Sequence, residues 1–253
     1  MSLSWIAVLT ALMFLTGAVG AITGGNSLIN VPILITMGMS PRHAVATNMF
    51  GVLFMTVSAT ARFARSGLIK KDFLWPLGVI TALTSALGAF IAVKLPETVV
   101  KVVVGVSMAA LLLFLVFKRQ SGPPVASSPG RRAVGYTAAT LLGIYGGFFS
   151  GGYTTLMTVL CTLAFGLTMM ESVALTKPIN LISCVAACAV FLAGGLIDLR
   201  VGVPLAVANL LGGYVGAHAA IKSGDKFVRS LFLATVGALA LKLLVWDVLL
   251  RGS

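Results

Sequence analysis

Apolar residues run almost unbroken from residue 3 to residue 23, where Gly24-Gly25-Asn26-Ser27 interrupts them. A shorter apolar run follows, 27–39, holding Asn30 and Pro32. At 1.5 Å per residue this run spans about 20 Å, short of a bilayer core of roughly 30 Å. The pattern predicts a first membrane helix and then a re-entrant or half helix. Gly38-Met39-Ser40-Pro41 reads as a turn, with Ser40 suited to cap the next helix and Pro41 to open it. Runs at 42–63, 73–93 and 98–117 predict further spans, the last two joined by the tight turn Lys94-Leu95-Pro96-Glu97. Residues 118–132, KRQSGPPVASSPGRR, form the one sizeable polar stretch, a linker in composition.

The pattern then starts again. An apolar run at 134–150 ends at a second pair, Gly151-Gly152, a short run covers 154–167, and spans at 172–193, 202–221 and 228–250 follow. A shift of 128 residues lays Gly24 on Gly152, Leu28 on Leu156, Gly38 on Gly166 and Val45-Ala46 on Val173-Ala174. The same shift lays Gly67-Leu68-Ile69 on Gly195-Leu196-Ile197, Pro76 on Pro204 and Lys94 on Lys222. Coincidences held over a whole half without a net shift indicate internal duplication. The expected fold is an all-α integral membrane protein with two homologous repeats of about four transmembrane helices each. The repeats cover 1–120 and 133–253, joined by a cytoplasmic linker at 121–132. Each carries a short re-entrant or broken helix after its Gly-Gly.

Composition agrees with the class. The chain has 58% hydrophobic and 9% charged residues and a mean hydropathy of +1.06, against about 25% charged in a soluble domain. Continuous rather than alternating runs exclude a β-barrel. The formal charge of +12 comes from basic residues in short loops, which is the positive-inside pattern and not a nucleic-acid surface. No basic residues precede the first apolar run and no cleavage signal is evident, so this run reads as a membrane segment and not a signal peptide. Cys161, Cys184 and Cys188 lie inside apolar segments without ligand spacing, so they read as packing residues and no metal is expected. A re-entrant short segment gives eight spans and parallel repeats, whereas a crossing one gives an odd number per half and inverted repeats. Charge favours eight spans, with Arg62, Arg65, Lys70, Lys71, Lys118, Arg119, Arg131 and Arg132 on the cytoplasmic side of the cell membrane together with both ends of the chain. Lys222, Lys226 and Arg229 then fall on the other side.

Candidate chemistry centres on Thr176-Lys177-Pro178-Ile179-Asn180. An ammonium inside an apolar segment is costly unless it is paired or near water. Asn180, three residues on, shares its helical face, and Pro178 removes a backbone donor. The matching place in the first half is Thr47-Asn48, which lacks the charge. The breaks at Gly24-Gly25 and Gly151-Gly152 add Asn26, Ser27, Tyr153, Thr154 and Thr155, just where a half-helix N-terminus points N–H groups at an anion. His43 and Glu171, again 128 apart, are candidates for proton coupling, although a helix start also explains a carboxylate there. No nucleotide-binding, serine-hydrolase or zinc-protease motif occurs, so no enzyme is expected.

These residues resemble the TauE/SafE family of sulfite exporter-like transporters. The resemblance rests on the first Gly-Gly break followed by Pro32, Ser40-Pro41 and Ala44-Val45-Ala46-Thr47-Asn48. In the second half it rests on Gly146-Gly147-Phe148-Phe149-Ser150-Gly151-Gly152-Tyr153 and Ala174-Leu175-Thr176-Lys177-Pro178-Ile179-Asn180. It covers nearly the whole chain. It implies a duplicated secondary transporter for sulfite, sulfonates or related oxyanions, working as an exporter, with Asn26, Thr47, Asn48, Thr176, Lys177 and Asn180 as site residues. Alternating access about a mid-membrane site is the expected mechanism. An anion channel and a non-transporting membrane scaffold or assembly factor are the alternatives. The expected partners are a small anion, the lipid bilayer and a coupling ion, H+ or Na+. No nucleic acid or cofactor is expected, and the pattern does not specify an oligomeric state.

Overall fold

Short polar residues cap several helix starts in the computed structural model, which describes residues 3–117 and 127–243. All regular structure among the described residues is helical. In the first half α1 spans Leu3–Thr23, α2 Ser27–Thr36, α3 Pro41–Ala64, α4 Lys71–Lys94 and α5 Glu97–Phe117. In the second, α6 spans Pro129–Phe148, α7 Tyr153–Phe165, α8 Met169–Ala193 and α9 Leu199–Leu243. The expected spans at 202–221 and 228–250 thus form one helix to Leu243, broken at Gly224 by non-helical backbone. Among the described residues four stretches are long and apolar enough to cross a membrane: Pro41–Ala64, Lys71–Lys94, Met169–Ala193 and Leu199–Leu231.

Caps explain several boundaries. Thr168 and Glu171 form a reciprocal capping box at the head of α8. Ser128 accepts the Arg131 N–H and Pro129 opens α6, so residues 129–132 of the polar stretch are helical. Linker residues 121–126 and the chain beyond Leu243 lie outside the described residues. Left-handed glycines punctuate both halves at matched places. Gly24, Gly38 and Gly67 have φ of 79°, 92° and 72°, and Gly152, Gly166 and Gly195, each 128 residues later, have 76°, 69° and 65°.

The helix pairing fixes directions. α1 and α2 form an antiparallel hairpin, because Thr16 Oγ1 donates to Asn30 Oδ1 at 2.9 Å and Gly20 lies against Asn26. α6 and α7 form a second one, with Gly146 against Tyr153 and Gly135 against Ala164 and Phe165. The two hairpins approach from opposite ends of the bundle. At one end, where α2 stops and α3 starts, Arg42 pairs with Glu97 at 2.8 Å. At the other, where α6 and α8 start, Lys70 pairs with Glu171 at 2.8 Å. The Glu171 carboxylate, by its hydrogen bond, holds the Lys70 ammonium above the usual lysine range.

α1 packs chiefly on α9, and α6 on α4. Close crossings need small residues there. A methyl on Gly88 would meet the Ile144 carbonyl, and one on Gly216 the Ala18 carbonyl. α9 runs alongside α3 in the same direction, with Gly202 near Thr47 and Phe50, Gly213 near Met55, and His218 beside Arg62. Lys222, Lys226 and Arg229 therefore lie at the Glu171 end, together with Arg62, Arg65, Lys70, Lys71, Arg131 and Arg132.

Candidate functional site

Helix breaks leave N–H groups at a new helix start without partners along the helix. Two such starts, those of α2 and α7, meet at the tips of the hairpins. Asn26 precedes α2 without a side-chain cap, and Gly152 precedes α7 in the left-handed region, also without one. The tips touch. Ser27 Oγ lies 2.8 Å from Ser150 Oγ, and Thr155 Oγ1 donates to the Thr23 carbonyl at 2.6 Å. Gly24 rests on Thr154 and lies against the Thr155 backbone nitrogen, which an added methyl would approach to 2.8 Å. Tyr145 on α6 donates to the Gly151 carbonyl and so ties the second tip to its own hairpin.

The tip contacts sit halfway along α3. Asn48 Nδ2 donates to Ser27 Oγ at 2.9 Å, and Asn26 Nδ2 reaches Met55 Sδ at 3.5 Å. On the second side Thr176 Oγ1 lies 3.4 Å from Thr158 Oγ1, which in turn donates to the Thr154 carbonyl. Asn180 Oδ1 accepts from Cys184, whose thiol also contacts Met49 of α3. Lys177 shares the stripe of α8 that carries Asn180 and Cys184. It is 0% exposed, and its Nζ has no hydrogen-bond partner. Asn48 Oδ1 and Asn30 Nδ2 are likewise buried without partners. The starts of α2 and α7 thus meet in the protein interior, and α3 and α8 add the buried, unpartnered Asn48 Oδ1 and Lys177 Nζ.

Not every expected residue joins this cluster. Thr47 Oγ1 accepts the Asp198 N–H at 3.0 Å and ties the head of α9 to α3. Tyr153 turns its hydroxyl to Thr81 on α4, 3.4 Å away. His43 bonds Ser40 at 2.9 Å at the Glu97 end, and Glu171 serves its own helix cap and Lys70 at the opposite end. Conversely, Ser150, the Thr23 carbonyl, Thr158 and the Thr16–Asn30 pair belong to the tips but were not among the expected residues. Ser150 had a signal, since it directly precedes the Gly151-Gly152 break. Among the described residues no cluster of His, Cys, Asp and Glu could hold a metal ion.

Comparison with known proteins bears on this arrangement. The family described as sulfite exporter TauE/SafE matches residues 9–243. The chain is 29% identical over 240 residues to a probable membrane transporter protein, ORF9, of a Sinorhizobium species, covering 94% of this chain and 92% of the relative. It is 27% identical to a probable membrane transporter protein of Haemophilus influenzae, covering 88% of each chain. It is 25% identical to the probable membrane transporter protein YfcA of Escherichia coli K12, covering 94% of this chain and 89% of the relative. No solved structure matches. With a match from residue 9 to residue 243 and membrane-length apolar helices throughout, the chain belongs to the sulfite exporter TauE/SafE family of membrane transporters.

Proposed function

We propose that the protein is a secondary transporter of a small oxyanion, of the sulfite or sulfonate class, which binds where the two hairpin tips meet. The observation that carries this reading is the buried Lys177 amino group without a partner. A positive charge there is tolerated at depth where a ligand supplies its counter-charge. The N-termini of α2 and α7 add positive dipole ends and N–H donors. Asn48, Ser27 and Asn180 offer further donors for sulfonyl or sulfite oxygens. Export is the direction the family resemblance implies.

The helix pairing supports inverted repeats in place of the parallel ones favoured by the loop charges. Each half supplies one re-entrant hairpin and three crossing helices: α3, α4 and α5, then α8 and the two arms of α9 on either side of Gly224. The re-entrant pair is α1 with α2, so α1 does not itself cross. The matched left-handed glycines and the exchanged pairings of α1 with α9 and α6 with α4 support duplication. The basic residues gathered at the Glu171 end support a cytoplasmic position for that end, by the positive-inside rule. Lys222, Lys226 and Arg229 then follow the rule, and the head of α1 lies on the far side of the cell membrane instead of the cytoplasmic side.

Alternating access follows from this geometry. Each hairpin closes the site from one side, and rocking one half on the other would open it alternately. Ser27, Asn48, Thr155, Thr176 and Lys177 are all at most 2% exposed, which suits an occluded carrier better than an open channel. The test is a flux screen of sulfite, sulfate, thiosulfate and alkanesulfonates in proteoliposomes. At least one should move and saturate. Movement of none under any ion gradient would sink the reading.

A further inference from the structure

Lys177 has no acid to pair with among the described residues. Among the described residues every carboxylate sits at an end of the bundle. Glu97 pairs with Arg42, and Asp198 caps the first turn of α9. At the other end Glu171 pairs with Lys70, Asp225 accepts the Met170 N–H, and Asp72 lies in the first turn of α4. The elements packed on α8 bring few titratable groups to its depth. α7 brings Tyr153 and Cys161, α6 brings Tyr145, and α8 itself carries Cys184 and Cys188, all buried or nearly so. On α3 and α9, His43 lies at the head of its helix, bonded to Ser40, and His218 lies before the Gly224 break, beside Arg62. The charged groups of α4 lie at its two ends, and the described part of α1 has none.

An ammonium without water or a partner costs several kcal/mol, and such a group escapes the cost by giving up its proton. An anion beside the amine reverses that cost. We propose that Lys177 is the proton site of a proton–anion symport cycle, with the amine neutral in the empty site and an ammonium when the anion is bound. This inference rests on the transport reading above. As the anion enters, the amine takes a proton from the solution on the open side. As the anion leaves on the other side, the N–H bond breaks and the proton follows it. Only that bond is made and broken, and one proton crosses per anion. By reciprocity, each ligand raises the affinity of the other.

The experiment uses the full chain in liposomes loaded with a pH dye, with membrane potential clamped. Methanesulfonate and thiosulfate are the probes, because as strong-acid anions they carry no proton of their own. Inward methanesulfonate flux should acidify the lumen by about one proton per anion. In Lys177→Arg, whose guanidinium stays protonated at every accessible pH, whatever anion flux remains should carry no protons. Anion flux in the wild type without acidification overturns the proposal, as does an unchanged proton ratio in Lys177→Arg. Absence of any anion flux in the wild type is a separate result and overturns the transport reading instead. Should the arginine fail to fold, calorimetry of methanesulfonate binding to the wild type in buffers of different ionisation enthalpy decides. Uptake of about one proton at alkaline pH, with affinity falling about tenfold per pH unit, is expected. No uptake at any pH overturns the proposal.

Discussion

Ser27 and Ser150 face each other at 2.8 Å, although 123 residues separate them in the chain. One opens the helix that leaves the first tip, and the other precedes the break of the second. Their hydroxyls bridge the two hairpins, and Ser27 also holds Asn48 of α3.

That bridge can be locked. In Ser27→Cys with Ser150→Cys, the two side chains are within disulfide reach. Oxidation should crosslink them, stop anion exchange and leave the fold intact, and reduction should restore exchange. Exchange that continues in a fully crosslinked protein would show that the tips need not separate.

Gly24 and Gly38 both have left-handed backbone, at φ of 79° and 92°, but their surroundings differ. A methyl on Gly24 would meet Thr154 and the Thr155 nitrogen, whereas one on Gly38 meets nothing within 4 Å. Gly38→Ala should cost about 1 kcal/mol in strain alone and keep transport. Gly24→Ala carries similar strain plus a contact that pushes the tips apart. It should lose about 2–4 kcal/mol and most of the transport rate. Thermal stability in detergent together with flux separates the two, and equal behaviour would refute the tip packing.

Inverted and parallel repeats differ in which loops share a face. Single cysteines at Arg65, Arg200 and Lys226, all exposed, can be labelled from one side with a membrane-impermeant maleimide. The inverted arrangement puts Arg65→Cys and Lys226→Cys on one side and Arg200→Cys on the other. Eight spans with parallel repeats would pair Arg65→Cys with Arg200→Cys and leave Lys226→Cys apart.

Much of the site was legible because breaks and intramembrane charge are properties of sequence itself. Glycine pairs in apolar runs marked the tips, and Lys177 stood out by its cost in lipid. Direction was not legible. A mostly apolar run of 21 residues, as in α1, does not tell its partner, and the Thr16–Asn30 and Gly20–Asn26 contacts pair it with α2. Side-chain aim was hidden too. Thr47 and Asn48 are adjacent, yet about 100° of helical rotation separates them, so one ties down Asp198 and the other reaches the tip. Tyr153 is turned away toward Thr81 for the same reason. Ser150 and Thr158 enter the cluster through contacts between distant segments, which local pattern does not encode.

The most direct test of the central claim is counterflow of labelled thiosulfate or alkanesulfonate into preloaded proteoliposomes, comparing the wild type with Lys177→Met. The methionine keeps the length and apolar stem but removes the charge, so the protein should fold and insert as before. The wild type should accumulate label transiently against the concentration gradient, and Lys177→Met should show at least a hundredfold loss, about 2.7 kcal/mol of anion binding. Counterflow in a well-folded Lys177→Met at the wild-type rate would contradict the account.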